Sequence, residues 1–104
     1  MPSEFLHICV ICEIITALNN FPRNKTTISR NFLKAAFILI SSKGSTTFDR
    51  ALSLAQGFEV ISLKQNEITL DKTKYLSWCP NFKQYKTEAE KIVKQNEELL
   101  KKYF

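Results

Sequence analysis

The chain is expected to fold as a mainly α-helical protein with a small β-hairpin. Between residues 28 and 57 two apolar-periodic segments are separated by a short turn that contains Gly44. After Gly57 the apolar spacing changes from helical to alternating, which is the mark of strands. A last stretch of helical spacing runs to Tyr103, so residues 1–80 read as one unit and 81–104 as a long C-terminal helix.

Taken in order, the first helix is expected from about Glu4 to Leu18, with Ser3 as its N-cap. Phe5, Ile8, Cys9, Cys12 and Ile15 recur at helical spacing, and Asn19-Asn20-Phe21-Pro22 stops the run. Pro22 to Thr27 is polar and reads as a loop. A second helix follows from about Ser29 to Ser42, with Phe32, Leu33, Ala36, Phe37 and Ile40 on one face. Ile38 and Leu39 make it apolar nearly all round, which places it at the centre of the domain. Gly44 suits the left-handed position that closes it. Thr46 then caps a third helix that carries Asp49 in its first turn and ends at Gln56-Gly57. Two helices joined across a glycine-containing turn form a helix-turn-helix.

Phe58, Val60, Ile61 and Leu63 make one strand and Ile68 and Leu70 the next, with Asn66 able to take a positive φ between them. Asp71 caps a short helix from Lys72 to Trp78, stopped by Pro80. Trp78, Cys79, Pro80 and Phe82 form an aromatic bridge to the last helix. Thr87-Glu88-Ala89-Glu90 is a capping box, and the helix it starts spans about 24 Å to Tyr103.

The chain has 104 residues, 44% of them hydrophobic, and a formal net charge of +5. That is long enough for an unstapled core, and mildly basic in a way that tilts the partner toward an anion. Phe5–Leu18 is too short to span a membrane, and Glu4 before it and Glu13 within it do not suit a signal peptide. The expectation is a cytoplasmic protein with no membrane contact. Three cysteines, Cys9, Cys12 and Cys79, point to a reducing compartment rather than a disulfide framework. His7, Cys9 and Cys12 could suggest a metal, but Val10 and Ile11 fill the gap where a zinc site needs a turn, so core packing is the preferred reading. The only histidine is His7, and the only glycines are Gly44 and Gly57, so neither an acid–base site nor a phosphate loop is expected.

The run Gly57-Phe58-Glu59-Val60-Ile61-Ser62-Leu63-Lys64-Gln65-Asn66-Glu67-Ile68-Thr69-Leu70-Asp71-Lys72-Thr73-Lys74-Tyr75-Leu76 resembles the wing of prokaryotic winged-helix proteins. Asp71 and Thr73 stand where that pattern more often has threonine and glycine. The resemblance covers about half the chain and implies a winged helix-turn-helix plus a long C-terminal helix, without a cofactor. It further implies a double-stranded DNA partner and a role in transcription regulation. Thr47, Arg50, Ser53 and Gln56 would then face bases, while Phe48, Leu52 and Ala55 face the core. Lys43, Thr46 and Lys64 would meet phosphates, with Arg30 and Lys34 as flanking cations. Such proteins often pair through a terminal helix, and Ala89, Val93, Asn96, Leu100 and Tyr103 form a stripe suited to a homodimer. A second reading is a protein-interaction subunit of a larger assembly, because the third helix carries one cation, Arg50, beside an anion, Asp49.

Overall fold

The computed structural model describes residues 2–20, 27–78 and 83–103. Its elements are α1 (Pro2–Asn19), β1 (Thr27–Ser29), α2 (Arg30–Ser41), α3 (Ser45–Gly57), β2 (Ile61–Lys64), β3 (Glu67–Leu70), α4 (Lys72–Trp78), α5 (Lys83–Gln95) and α6 (Glu97–Tyr103). The protein is thus mainly helical, with one antiparallel sheet of order β1-β3-β2.

The central helix is α1, not α2 as its all-round apolar sequence suggested. Ile8, Cys9, Val10, Ile11, Cys12, Ile14, Ile15 and Leu18 are all buried. Elements α2, α3, α5 and β3 all pack on α1. Helix α2 buries Leu33, Ala36, Phe37 and Ile40 but lies at the edge, leaving Ile38 37% and Leu39 41% exposed. Helix α1 starts at Pro2, so Ser3 lies inside the helix rather than capping it.

The turn between α2 and α3 is built differently from expectation. Ser29 caps α2, its Oγ accepting from the Phe32 N–H at 3.2 Å. At the other end Ser42, not Gly44, takes the left-handed conformation (φ 61°), and its N–H donates to the Ile38 carbonyl. The reason is the length of the turn. Helix α2 stops at Ser41, so the residue that must reverse the chain is the next one. Gly44 is extended (φ −86°, ψ 180°) and serves as the N-cap of α3, so Thr46 sits within the first turn instead of capping it. At the far end Gly57 is the last helical residue and Glu59 takes the positive φ (63°). The Val60 N–H closes back onto the Ala55 carbonyl, so strand β2 begins at Ile61 rather than at Phe58.

The hairpin is as read, with register Lys64↔Glu67 and Leu63↔Ile68. Gln65 (φ 52°) and Asn66 (φ 67°) both occupy left-handed space, the two-residue turn whose twist matches the strands. A third strand was not anticipated. Thr27–Ser29 pairs antiparallel with β3, placing Ile28 opposite Ile68, where the sequence was read as loop and helix start. Asp71 caps α4 as expected, its Oδ1 accepting from the Lys74 N–H at 3.0 Å. The rings of Phe5, Phe58 and Trp78 meet at centroid distances of 5.3–6.2 Å, and Tyr85 joins them through Phe5 at 6.3 Å. This cluster ties α4 and α5 to α1. Cys79, Pro80 and Phe82, also expected in that bridge, lie outside the described residues, as do residues 22–26 of the polar loop.

The C-terminal region departs most from expectation. Helix α5 begins at Lys83, so Thr87 lies inside it and its hydroxyl donates back to the Lys83 carbonyl at 3.1 Å. The single long helix is instead two, broken at Asn96. The Asn96 backbone N–H turns to the Val93 carbonyl and its side-chain amide donates to Ile92 at 2.8 Å. An asparagine that satisfies the backbone locally competes with helix continuation. Ala89, Val93 and Leu100 of the expected pairing stripe are buried in the same core as α1, Asn96 is half-buried, and the Tyr103 side chain lies outside the described residues.

Phe37 is fully buried and Ile38, beside it in sequence, is over a third exposed. Phe37→Ala should therefore cost about 3–5 kcal/mol, while Ile38→Ala should stay within about 1 kcal/mol. Urea denaturation of the two variants checks the inside-out assignment of α2.

Candidate nucleic-acid interface

Helix α3 turns Phe48, Ala51, Leu52 and Ala55 inward. Helical spacing therefore puts Thr46, Asp49, Arg50, Ser53 and Gln56 on the outward face, and all five are exposed. Thr47, expected to face a partner, is half-buried. The start of this helix carries no side-chain cap, because Gly44 has none to offer. Its first backbone N–H groups therefore point outward unclaimed by a capping side chain, and Lys43 stands exposed immediately before them.

Arg30 does not stand free as a flanking cation. Its Nη2 pairs with Asp49 Oδ1, and its guanidinium lies over the Phe48 ring, 5.7 Å from the centroid. Its backbone N–H donates to the Asn66 carbonyl at 2.8 Å. One residue thus links the start of α2, the outward face of α3 and the tip of the β2–β3 hairpin. Sequence reasoning missed this clip, because its two side chains lie 19 positions apart.

The second charge on the face, Arg50, meets Glu4 of α1 at 3.6 Å with its side chain 67% exposed. A pair so exposed contributes little and exchanges readily for another anion. Lys34, Lys43 and Lys64 form no ion pair among the described residues. Lys43 and Lys64 are exposed, and Lys34 is half-buried. His7 adds no cation near neutral pH. Burial holds its pKa below the ordinary histidine value, Lys43 lowers it further, and Glu4 opposes them. Cys9 and Cys12 are buried in the core as thiols that form no disulfide among the described residues.

A polar group of another kind lies between α1, α4 and α5. The Tyr75 hydroxyl donates to Glu13 Oε2 at 2.6 Å, and Lys86 Nζ lies 3.9 Å from the same oxygen. Burial raises the pKa of Glu13. The Tyr75 hydrogen bond and Lys86 pull it down, and Glu90 adds to the rise. The same burial, helped by the bond to Glu13, raises the Tyr75 hydroxyl far out of its ordinary range, so it remains a donor. Their pairing was not legible in the sequence, since the two residues are 62 positions apart.

Comparison with models of protein families, with curated proteins and with solved structures finds no match to this chain. Its own geometry is therefore the basis for a functional reading. The α3 face and the hairpin tip bring together exposed hydroxyl, amide and cationic groups with the carboxylates of Asp49 and Glu67.

Glu13 provides a pH test of the packing. Its pKa is raised in the folded state, so the unfolded chain loses this proton first as pH rises. The contribution of Glu13 is most favourable below the ordinary glutamate range and falls as pH climbs through and above it. Glu13→Gln keeps an acceptor for Tyr75 and should flatten that slope. The check is the denaturation midpoint of both proteins between about pH 4 and 7. Equal slopes would show that Glu13 is not held in a protonation-sensitive site.

Proposed function

We propose that this chain is a winged-helix protein that binds double-stranded DNA through α3 and the β2–β3 hairpin. The observation that carries the reading is the outward face of α3: polar, exposed, entered through an uncapped helix start beside Lys43, and braced against the hairpin by Arg30. The element order α1-β1-α2-α3-β2-β3 and the sheet order β1-β3-β2 support the same reading. On a duplex, α3 enters the major groove and the hairpin lies along the adjoining backbone. Lys43, Lys64 and the backbone N–H groups of Ser45 and Thr46 take phosphate oxygens, which fixes register. Arg50 exchanges Glu4 for the duplex, and Ser53 and Gln56 present donors and acceptors one turn further on. With few phosphate contacts, binding is weak and strongly dependent on salt.

A specific observation favours a second reading, a protein-interaction subunit. Ala35, Ile38 and Leu39 form an exposed apolar side on α2. Under that reading Ile38→Asp abolishes association with a protein partner, while duplex binding is absent.

Titration of a random-sequence duplex at about 50 mM salt, followed by a salt series, separates the two. Lys43→Ala and Lys64→Ala should each weaken binding to every sequence several-fold and reduce the salt slope by about 0.9. No binding by the unaltered chain at low salt, or unchanged binding by both variants, would overturn the DNA reading.

A further inference from the structure

The outward face of α3 carries an anion where a DNA-binding surface would repel one, and the structure shows how that anion is held. Asp49 lies on the exposed face with its side chain 48% exposed. It is the only acidic residue in α3. Its Oδ1 is taken by Arg30 Nη2, and Oδ2 has no donor among the described residues. Arg30 itself is fixed by its place over the buried Phe48 ring and by its backbone bond to Asn66 at the hairpin tip. Its side chain is only 27% exposed, so it neutralises Asp49 from behind and leaves the carboxylate edge facing out.

We propose that Asp49, held by Arg30, is a base-reading acceptor that selects cytosine at one position of the bound duplex; this rests on the DNA-binding reading above. The chemistry is one-sided. A carboxylate accepts and cannot donate, so phosphate oxygens, guanine O6 and N7, and thymine O4 all oppose it. The donors in the major groove are the amino groups of cytosine and adenine. On adenine the N6 amino group sits beside the N7 acceptor, which repels the second carboxylate oxygen. On cytosine the neighbour of N4 is a C–H edge, so the carboxylate meets no opposing acceptor on that base. Arg30 removes the net charge that would otherwise push the whole helix from the backbone. It acts as a positioning residue and makes no contact with the base. A surface carboxylate that served only to pair with Arg30 would stabilise the fold without any such preference.

Selection from a random-sequence duplex pool, using the full chain and three variants, tests this. The unaltered protein should enrich cytosine at one position by roughly tenfold over thymine, within the range of a single base-edge contact. Asp49→Ala should lose preference at that position alone. Asp49→Asn, which adds a donor to the acceptor, should move the preference to adenine. Arg30→Met should weaken binding to all sequences and lower the cytosine preference without moving it to another base, because Asp49 loses the group that holds it. Thermal melting verifies folding, and should Asp49→Ala fail to fold, the isosteric Asp49→Asn decides. Identical preferences at every position for the unaltered chain and the Asp49 variants would overturn the inference while leaving DNA binding intact. Retention of no duplex at all would instead overturn the DNA-binding reading, and this inference with it.

Discussion

The structure depends on the need to cover α1 on every side. A helix whose apolar residues encircle it gains about 1.5–3 kcal/mol for each large side chain taken fully out of water, and α1 has no wide polar face to leave in solvent. Helices α2 and α3 cover part of it and β3 touches it, but α5 is needed to complete the enclosure. The rest of the fold follows. Ala89, Val93 and Leu100 turn inward because α1 lies there, and Glu13, one of α1's few polar residues, needs Tyr75 and Lys86 as partners at the seam. With α1 in the middle, α2 is displaced to the edge and shows Ile38 and Leu39 to solvent.

That arrangement also sets what remains for function. With Ala89, Val93 and Leu100 turned into the core, the polar face of α3 and the hairpin tip are the surface on which the proposed recognition would act. Arg30 makes them one surface. Its three contacts join elements far apart in sequence, so displacement of the hairpin would disturb Asp49, and a change at Asp49 would be felt at the hairpin. A braced surface loses less freedom on binding than a loose one.

Much of the fold was legible in the sequence because its signals were local. Periodicity located α1, α2 and α3, the Gln65-Asn66 turn marked the hairpin, and Asp71 announced α4. What was misread depended on competition between neighbours. Gly44 looked like the left-handed residue, yet the length of the turn assigned that conformation to Ser42. Strand β1 is three residues long, too short for alternation to show, and exists because β3 offers it an edge. The all-round apolar character of α2 was real, but α1 was equally apolar and longer, and the longer helix took the centre. Of the site, Thr47, expected on the outward face, is half-buried, whereas the exposure of Arg50, Ser53 and Gln56 followed from helical spacing. The commitment of Arg30 to Asp49 did not, since a contact across 19 residues leaves no local pattern.

The most direct test of the account is amide chemical-shift mapping of the isotope-labelled chain titrated with a short duplex at low salt. The account expects the shifts to gather on Lys43–Gln56 and on the hairpin tip, Lys64–Glu67, with α5 and α6 undisturbed. No shifts at all, or shifts gathered on α5 and α6, would contradict it.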